Sequence, residues 1–312
     1  MKPEILSVAP LYPPCMERLE RELTVHRLFD APDPQALLAD VAPRVRGIQA
    51  TGFASVPAAM IEALPKLEIV SVFGVGYDGV DIAAARRRNV VVTNTPDVLN
   101  DCVADLALGL VIATSRRLCA GDRFVRAGKW LAGPMPLASR VSGKRLGILG
   151  LGRIGRTIAK RASGFDMTIA YHSRQPVHGV PFRYCATPVE LAGSSDFLVV
   201  ITPGGASTKH LVNEAVIRAL GPAGILINVA RGSVVDEQAL LRCLEEGALG
   251  GAGLDVFEDE PHVPEALFAM DNVVLLPHVG SATHETRGAM GDLAVDNLLA
   301  HFGGRQVLTP VP

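Results

Sequence analysis

The sequence has little of what marks a disulfide-rich or metal-stapled protein. Its 312 residues include only 5 cysteines, which are scattered and form no Cys-x-x-Cys pair. Disulfide frameworks and zinc clusters need paired or closely spaced cysteines, so we expect neither, and no metal site. The cysteine content fits a reducing compartment.

Net charge and long apolar runs are equally scarce. The chain carries 30 basic and 32 acidic residues, a formal net charge of -2, so nothing draws it to nucleic acid or to an anionic membrane. The longest apolar stretch, residues 98–114, contains Asn100, Asp101 and Asp105 and is too polar to span a bilayer. The first residues lack the apolar core of a secretory signal, so we expect a cytoplasmic protein.

Hydrophobic residues make up 48% of the chain, and its length predicts two globular domains. Short apolar runs alternate with helical patterns, which is typical of βαβ units and a parallel sheet. The predicted strands are 5–8, 47–50, 68–73, 90–93, 145–149, 168–171, 197–201, 225–229, 253–256 and 273–276. The predicted helices between them are 14–23, 34–41, 57–64, 81–88, 154–163, 213–220 and 237–246.

Two segments interrupt this alternation. A long helix is predicted over 98–118, and it leads into residues 127–142, which are rich in glycine and proline and contain Trp130, Leu131 and Met135. We interpret 127–142 as an arm with an apolar face. The last helix, 283–300, has no strand after it and is therefore free to pack on the first half of the chain.

A glycine-rich segment follows the predicted strand 145–149 and precedes a helix. Gly150, Gly152 and Gly155 form a G-x-G-x-x-G motif. In a dinucleotide site the first glycine allows a tight turn, the second lets the backbone approach a pyrophosphate, and the third lets helix and strand pack closely. Arg153 and Ile154 would add backbone N–H donors at the start of the helix.

The residues at the end of the predicted strand 168–171 indicate which of two dinucleotides, NAD(H) or NADP(H), the site prefers. An NAD site places a carboxylate there, which accepts a hydrogen bond from the ribose 2′-OH. This sequence has Tyr171, His172, Ser173 and Arg174 instead. Arg174 can pair with a 2′-phosphate and Ser173 can bond to it. The sequence therefore predicts that NADP(H) is preferred, with NAD(H) as the alternative.

Three further strands end in charged or titratable residues. Arg231 follows strand 225–229, an acidic turn follows strand 253–256, and His278 follows strand 273–276. Because the carboxyl ends of parallel strands meet at one edge of a sheet, these groups would lie beside the glycine loop. Spacing does not decide which acid of the turn matters; the candidates are Glu258, Asp259 and Glu260.

These residue types suit hydride transfer between a nicotinamide and C2 of a 2-oxo acid. The planar guanidinium of Arg231 can hold the substrate carboxylate. The imidazole of His278 can give a proton to the developing alkoxide. A carboxylate of the acidic turn can orient that imidazole and favour its charged form.

The chain resembles the D-isomer-specific 2-hydroxyacid dehydrogenase family over nearly its whole length. The resemblance rests on the glycine motif and on four segments of higher specificity. These are Phe-Gly-Val-Gly-Tyr-Asp-Gly-Val-Asp at 73–81, Asn-Val-Ala-Arg-Gly-Ser-Val-Val-Asp-Glu at 228–237, Gly-Leu-Asp-Val-Phe-Glu-Asp-Glu-Pro at 253–261 and Pro-His-Val-Gly-Ser-Ala at 277–282.

The resemblance implies specific roles for residues at these motifs. His278 would be the acid/base, Glu260 its partner and Arg231 the carboxylate anchor. The backbone N–H groups of Val75 and Gly76 would bind the same carboxylate from the other domain. Further cofactor contacts would come from Asp255 on the nicotinamide carboxamide and from Val229, Gly280, Thr202 and Pro203.

The resemblance also implies an α/β fold of two doubly wound, Rossmann-like parallel-sheet domains, with the cofactor domain inserted into the substrate domain. Residues 1–97 and 283–312 would form the substrate domain, and 98–282 the dinucleotide-binding domain. Residues 98–142 would be the dimerisation helix and arm of a homodimer, with Met135 or Trp130 reaching the partner's active site.

Within the family, arginine at position 174 resembles the pattern of NADPH-dependent glyoxylate/hydroxypyruvate reductases. We expect reduction of small 2-oxo acids to D-2-hydroxy acids. An aromatic 2-oxo acid reductase of the hydroxyphenylpyruvate type is the first alternative, because Phe53 and residues 73–77 do not fix substrate size. A dinucleotide-sensing, corepressor-like binding protein is the alternative from another class, because such proteins share the fold.

Overall fold

The structure is a computed structural model that describes residues 2–311. It divides into two compact units. The first unit contains residues up to Leu99 together with those from Thr283 onward, and the second unit contains Asn100–Ala282. None of the helices within residues 2–311 has both the length and the apolarity needed to cross a membrane.

Strands and helices alternate along most of the chain. The strands are β1 (Glu4–Ser7), β2 (Thr24–Arg27), β3 (Val45–Thr51), β4 (Ile69–Phe73), β5 (Val91–Thr93), β6 (Arg145–Leu149), β7 (Thr168–His172), β8 (Arg183–Tyr184), β9 (Phe197–Val200), β10 (Ile225–Asn228), β11 (Gly251–Leu254) and β12 (Val273–Leu275). The helices are α1 (Pro13–Glu22), α2 (Pro34–Val41), α3 (Ala58–Ala63), α4 (Ile82–Arg87), α5 (Asn100–Ser115), α6 (Leu118–Arg126), α7 (Arg153–Ala162), α8 (Pro188–Gly193), α9 (Glu214–Leu220), α10 (Glu237–Glu245) and α11 (His284–Phe302).

The first unit is built on a parallel sheet of five strands in the order β2-β1-β3-β4-β5. Strand β4 is buried along its whole length, as expected for the centre of a parallel sheet covered on both faces. Helix α11 packs against β4 and α1. The Ser71 hydroxyl of β4 donates a hydrogen bond to the Ala294 carbonyl of α11 at 2.9 Å, so the last helix forms part of this unit.

The second unit is built on a parallel sheet of seven strands in the order β12-β11-β10-β9-β6-β7-β8. From β6 the chain winds outward first through β7 and β8 and then, on the other side, from β9 to β12. Ligands of such sheets bind beyond the carboxyl ends of the strands, at the point where the winding reverses. Here that point lies between β6 and β9.

Several helices begin with a side chain that accepts hydrogen bonds from their first turn. Asp33, Asp236 and Thr283 do so for α2, α10 and α11. Such caps satisfy N–H groups that have no partner within the helix. Helix α7 differs, because its N-cap is Gly152, which has no side chain to accept them.

The predicted helix over 98–118 is confirmed over Asn100–Ser115 and is wrong at its C-terminal end. Helix α5 ends at Ser115, and Arg117 takes a left-handed φ of 53° before α6 begins. The Ser115 carbonyl accepts the Ser139 N–H at 3.0 Å, and the Ser115 hydroxyl donates to the Ser139 carbonyl at 3.0 Å. The arm thus occupies the Ser115 carbonyl, which would otherwise accept the next bond of the helix.

Candidate active site

The three glycines of the motif, at the junction of β6 and α7, have different surroundings. Gly150 has a φ of +106°, and a Cβ there would lie 2.8 Å from the Ile201 carbonyl oxygen. A Cβ on Gly155 would collide with the Gly150 carbonyl oxygen, whereas a Cβ on Gly152 would have no atom within 4 Å. The loop is therefore packed against protein at Gly150 and Gly155 and open at Gly152.

The open side of this loop has the properties of an anion site. Arg153 and Ile154 are the first residues of α7, and within residues 2–311 this helix has no side-chain cap at its N-terminus. A helix N-terminus of this kind favours a phosphate. Thr202, after β9, touches the loop, and its Oγ1 is buried with no hydrogen-bond partner among residues 2–311. Such orphaned hydroxyls are rare in proteins, and a polar ligand at the loop would give this one a partner.

Strand β7 ends beside the predicted site for the cofactor ribose. The His172 Nδ1 donates to the Cys185 carbonyl at 2.9 Å. The Ser173 hydroxyl donates to the Gln175 carbonyl at 2.6 Å, which leaves its oxygen as an acceptor. Arg174 is exposed, and within residues 2–311 its guanidinium has no ion-pair or hydrogen-bond partner. This cation is therefore available to an anionic ligand.

The turn after β10 holds Arg231 through a buried asparagine. Asn228 is 1% exposed; its Nδ2 donates to the Arg231 carbonyl at 3.0 Å and its Oδ1 accepts the Ala230 N–H at 3.1 Å. A Cβ on Gly232 would collide with the backbone of Phe257. The absence of a side chain at Gly232 thus lets the Arg231 turn pack directly on the acidic turn that contains Glu260.

His278 and Glu260 form a hydrogen-bonded pair. The His278 Nδ1 lies 2.8 Å from Glu260 Oε2 and 3.1 Å from Oε1, and both side chains are largely buried. Because a carboxylate only accepts, Nδ1 carries the proton in this pair, and Nε2 is the ring nitrogen that does not bond to Glu260. His278 has a φ of 52°, a strained conformation of the kind that clusters at functional sites.

The charge of Glu260 is stabilised by its surroundings. Burial by itself would raise the pKa of this carboxyl. The His278 hydrogen bond and charge, the Phe257 N–H and the Arg231 charge together outweigh burial, and the pKa lies below its ordinary value. Glu260 is therefore a carboxylate at neutral pH, so it can stabilise a cation on His278.

The Asp255 carboxyl accepts hydrogen bonds from the backbone that follows His278. Its Oδ1 accepts the Val279 N–H at 2.7 Å and its Oδ2 accepts the Gly280 N–H at 2.8 Å. The His278 N–H donates to the Asp255 carbonyl at 2.8 Å. Burial raises the pKa of this carboxyl despite the two N–H donors and the nearby His278 charge. Asp255 thus holds the loop that carries His278.

Two more residues predicted to contact the cofactor lie at strand ends of the same sheet. Val229 follows β10 and is buried, and its N–H donates to the Val200 carbonyl at 3.3 Å. Pro203 follows Thr202, and its carbonyl accepts a hydrogen bond from the Thr208 hydroxyl at 2.8 Å. The second unit therefore brings the glycine loop, Arg231, the His278–Glu260 pair and the predicted cofactor contacts to the carboxyl edge of one sheet.

Val75 and Gly76 belong to the first unit, in the loop after β4. The Gly74 N–H donates to Thr95 Oγ1 at 3.0 Å, and the Thr95 N–H donates to the Gly74 carbonyl at 2.9 Å. Within residues 2–311 the N–H groups of Val75 and Gly76 have no acceptor. Two adjacent backbone donors are thus left for an anion.

The sequence analysis gave no role to Asn228, which holds the Arg231 turn. The sequence contains one signal for this role. Asn228 directly follows the apolar run 225–227 of a buried strand, and a buried amide needs hydrogen-bond partners, which the adjacent turn can provide.

The comparisons with known proteins decide the family. Residues 108–280 match the family model "D-isomer specific 2-hydroxyacid dehydrogenase, NAD binding domain". The chain belongs to the D-isomer specific 2-hydroxyacid dehydrogenase family. Among its relatives in this family, the glyoxylate/hydroxypyruvate reductase A of Arabidopsis thaliana is 50% identical over 307 residues, 98% of each chain. The hydroxyphenylpyruvate reductase of Plectranthus scutellarioides is also 50% identical over 307 residues, 98% of each chain.

A solved structure of the family agrees along the whole chain. The NADPH-dependent glyoxylate/hydroxypyruvate reductase of Sinorhizobium meliloti, in complex with NADP and malonate, has a TM-score of 0.92 and 47% identity, with coverage of 100% of this chain and 97% of that one. The predicted family and the α/β class with two Rossmann-like parallel sheets are confirmed. The protein is an NAD(P)-dependent oxidoreductase of the D-2-hydroxyacid dehydrogenase family.

Proposed function

We propose that the protein reduces small 2-oxo acids of the glyoxylate and hydroxypyruvate class to D-2-hydroxy acids with NADPH. The observation that carries the proposal is the His278–Glu260 pair, 2.8 Å apart, beside Arg231 at the edge of a sheet that also presents a glycine loop. The relatives named as glyoxylate/hydroxypyruvate reductases support the substrate class.

The proposed chemistry assigns a separate task to each group. The bound dinucleotide supplies the hydride that adds to C2. Arg231 binds the carboxylate of the 2-oxo acid, which orients C2. In the first unit, the N–H groups of Val75 and Gly76 are donors of the kind that bind a carboxylate. Protonated His278 donates from Nε2 to the oxygen that becomes the hydroxyl, while the Glu260 carboxylate holds Nδ1 and stabilises the imidazolium.

NADPH preference rests on the end of β7. The chain has no carboxylate at residues 171–174 to accept from a ribose 2′-OH, and it has an exposed, unpaired Arg174 instead. A 2′-phosphate offers this guanidinium a bidentate partner. The relative with NADP bound supports the same choice.

Steady-state kinetics of the purified protein test this function. We expect turnover of glyoxylate and hydroxypyruvate with NADPH, and a loss of at least about a hundredfold in kcat for His278→Gln. Arg231→Ala should raise KM for the 2-oxo acid, because the carboxylate loses its bidentate cation. The matched control is His26→Gln, since His26 forms a similar pair with Glu4 at 2.9 Å in the first unit. Near-normal turnover by His278→Gln would overturn the assignment.

A second substrate class has a specific observation in its favour. The relative from Plectranthus scutellarioides is a hydroxyphenylpyruvate reductase, and it is as similar to this chain as the Arabidopsis enzyme. Assays with phenylpyruvate and hydroxyphenylpyruvate beside glyoxylate separate the two. A higher kcat/KM for the aromatic acids would assign the protein to that class.

The arm between α6 and β6 supports a homodimer. Trp130, Leu131 and Leu137 are 69%, 97% and 99% exposed, and Val125, Gly128, Trp130 and Leu131 line an open groove of about 460 Å³. Contiguous exposed apolar residues mark interaction sites on protein surfaces. We assign residues 98–142 as the dimerisation region on this basis.

A further inference from the structure

We propose that Asn94 is a positioning residue for the carboxylate-binding loop and that the C-terminal segment Leu308–Val311 holds it in place. The inference rests on the proposed function, in which the N–H groups of Val75 and Gly76 bind the 2-oxo acid. It assigns a functional task to a chain terminus that lies more than 200 residues from the loop in sequence.

Two hydrogen bonds set the direction of the two loop donors. Each peptide unit is planar and trans, so its C=O and N–H point in opposite directions. The Gly74 carbonyl accepts the Thr95 N–H at 2.9 Å, which turns the Val75 N–H away from Thr95. The Val75 carbonyl accepts the Asn94 Nδ2 at 2.8 Å, which turns the Gly76 N–H away from Asn94. Both donors are thereby aimed before any ligand arrives.

Asn94 is itself held by the end of the chain. The Thr309 hydroxyl donates to the Asn94 carbonyl at 2.6 Å, and the Asn94 N–H donates to the Thr309 carbonyl at 3.3 Å. Pro310 pairs antiparallel with Thr93, and the Val311 N–H donates to the Val92 carbonyl at 2.8 Å. The terminal segment therefore lies along the free edge of β5 and fixes the residue that follows it.

A buried side chain of α11 fixes the terminal segment in turn. Asn297 is 0% exposed, and its Oδ1 accepts the N–H groups of Leu308 and Thr309 at 2.9 and 3.1 Å. Its Nδ2 donates to the Thr309 hydroxyl at 2.8 Å and to the Leu293 carbonyl at 2.9 Å. A fully buried amide is tolerated only when it is satisfied, and here three of its four bonds go to the terminal segment. The segment Leu308–Val311 is thus bonded to the buried interior of the first unit.

These contacts form one continuous chain of hydrogen bonds from Asn297 through Thr309 and Asn94 to the Val75–Gly76 peptide. Loss of a link would let the Gly76 N–H rotate away from the carboxylate. Carboxylate binding is common to the ground state and the transition state, so its weakening raises KM and leaves kcat nearly unchanged. A merely structural defect would lower the thermal midpoint or weaken NADPH binding, and it would not raise KM at an unchanged kcat.

The test compares Asn94→Ala and Thr309→Val with wild type, using glyoxylate and NADPH. We expect about a fivefold rise in the KM for glyoxylate for Asn94→Ala, the value of one neutral hydrogen bond, and about a twofold rise for Thr309→Val. The kcat and the Kd for NADPH should stay within about twofold. The inhibition constant of oxamate, an unreactive carboxylate, should rise in parallel with KM.

Two further variants serve as controls. Thr309→Ser keeps the hydroxyl and should restore the wild-type KM. Asn272→Ala removes an equivalent amide-to-carbonyl bond, from Asn272 Nδ2 to the Gly250 carbonyl at 3.2 Å, far along the chain from the loop, and should leave KM unchanged. If Asn94→Ala does not fold, the contrast between Thr309→Val and Thr309→Ser decides.

The outcomes separate this inference from the proposed function. Wild-type turnover with an unchanged KM for glyoxylate in Asn94→Ala and Thr309→Val overturns the positioning role alone. A fall in kcat with no change in KM or in the oxamate constant also overturns it. A wild-type protein that reduces no 2-oxo acid overturns the proposed function, and the positioning role falls with it.

Discussion

At the scale of single residues, buried polar side chains bond to the backbone of the loops that carry the candidate catalytic groups. Asn228 holds the Arg231 turn, Asp255 holds the Val279 and Gly280 N–H groups, and Glu260 accepts the Phe257 N–H at 3.1 Å besides pairing with His278. An unpaired buried polar group costs about 1–3 kcal/mol, so each of these bonds also restrains its loop. These bonds therefore fix the backbone geometry of the candidate site.

Replacing Glu260 with glutamine should destabilise the protein in a pH-dependent way. The folded-state pKa of Glu260 lies below its ordinary value, so its contribution is complete above the ordinary carboxyl range and is lost as pH falls through the lower folded value. At neutral pH we expect a loss of about 1–2 kcal/mol, or a drop of about 2–8 °C in the thermal midpoint. The drop should shrink as the pH is lowered below the ordinary carboxyl range and through the folded-state pKa of Glu260.

The matched control is Glu17→Gln, because Glu17 is an exposed residue of α1. Its thermal midpoint should follow that of wild type at every pH. If the thermal midpoints of wild type and Glu260→Gln differ by the same amount throughout the acid range, this result would contradict the lowered pKa of Glu260.

Arg174 should decide between the two dinucleotides. For Arg174→Asp we expect the ratio of kcat/KM with NADPH to that with NADH to fall by about a hundredfold, because a bidentate bond to the 2′-phosphate is lost and a like charge replaces it. The side chain is exposed, so the thermal midpoint should not change. The control is Arg183→Ala, since Arg183 is a nearby exposed arginine that pairs with Glu190 at 2.9 Å. An unchanged ratio would show that the cofactor is selected elsewhere.

At the scale of elements, the accuracy of the sequence prediction follows burial. Strands β6, β9 and β10 are mostly buried and apolar, and their predicted bounds agree with the structure to within one residue. Strand β2 was missed because Thr24–Arg27 is polar and partly exposed at the edge of its sheet. Strand β8 was missed because it has only two residues, Arg183–Tyr184. Such short edge strands depend on pairing with a neighbour, which leaves no local pattern.

Substitution of alanine for Gly152 and for Gly155, at the start of α7, should have different effects on stability. In Gly152→Ala the new Cβ enters open space, so the protein without ligand should keep its thermal midpoint and lose NADPH affinity by at least about tenfold. In Gly155→Ala the Cβ meets the Gly150 carbonyl, so both affinity and stability should fall, the latter by about 1–3 kcal/mol. Titration of NADPH by fluorescence and thermal unfolding measure the two effects.

A control for this pair is Gly164→Ala, since a Cβ on Gly164 would also have no atom within 4 Å and the residue lies beyond the end of α7. It should change neither quantity. Full NADPH affinity in Gly152→Ala would contradict the use of this open space by the cofactor.

At the scale of the whole molecule, motifs predicted the candidate site but not what supports it. Arg231, Glu260 and His278 stand in recognisable segments at strand ends, so residue type and strand order suffice to propose them. The link from Thr309 to Asn94 joins residues 215 positions apart, and no local pattern indicates such a contact. Supports of this kind follow from the packing of each unit, which only the structure shows.

The arm residues predict how the molecule assembles. We expect the wild-type protein to sediment as a dimer, with twice the 33.0 kDa mass of one chain. Contact with a second copy would remove the apolar groove around Trp130 and Leu131 from water. Leu131→Asp places a charge on that surface and should yield monomers in sedimentation velocity experiments. Phe268→Asp is the control, since Phe268 is 63% exposed but lies in the segment Glu265–Ala269, outside the arm, and should stay dimeric. A monomeric wild type, or a dimeric Leu131→Asp, would contradict the assignment of residues 98–142 as the dimerisation region.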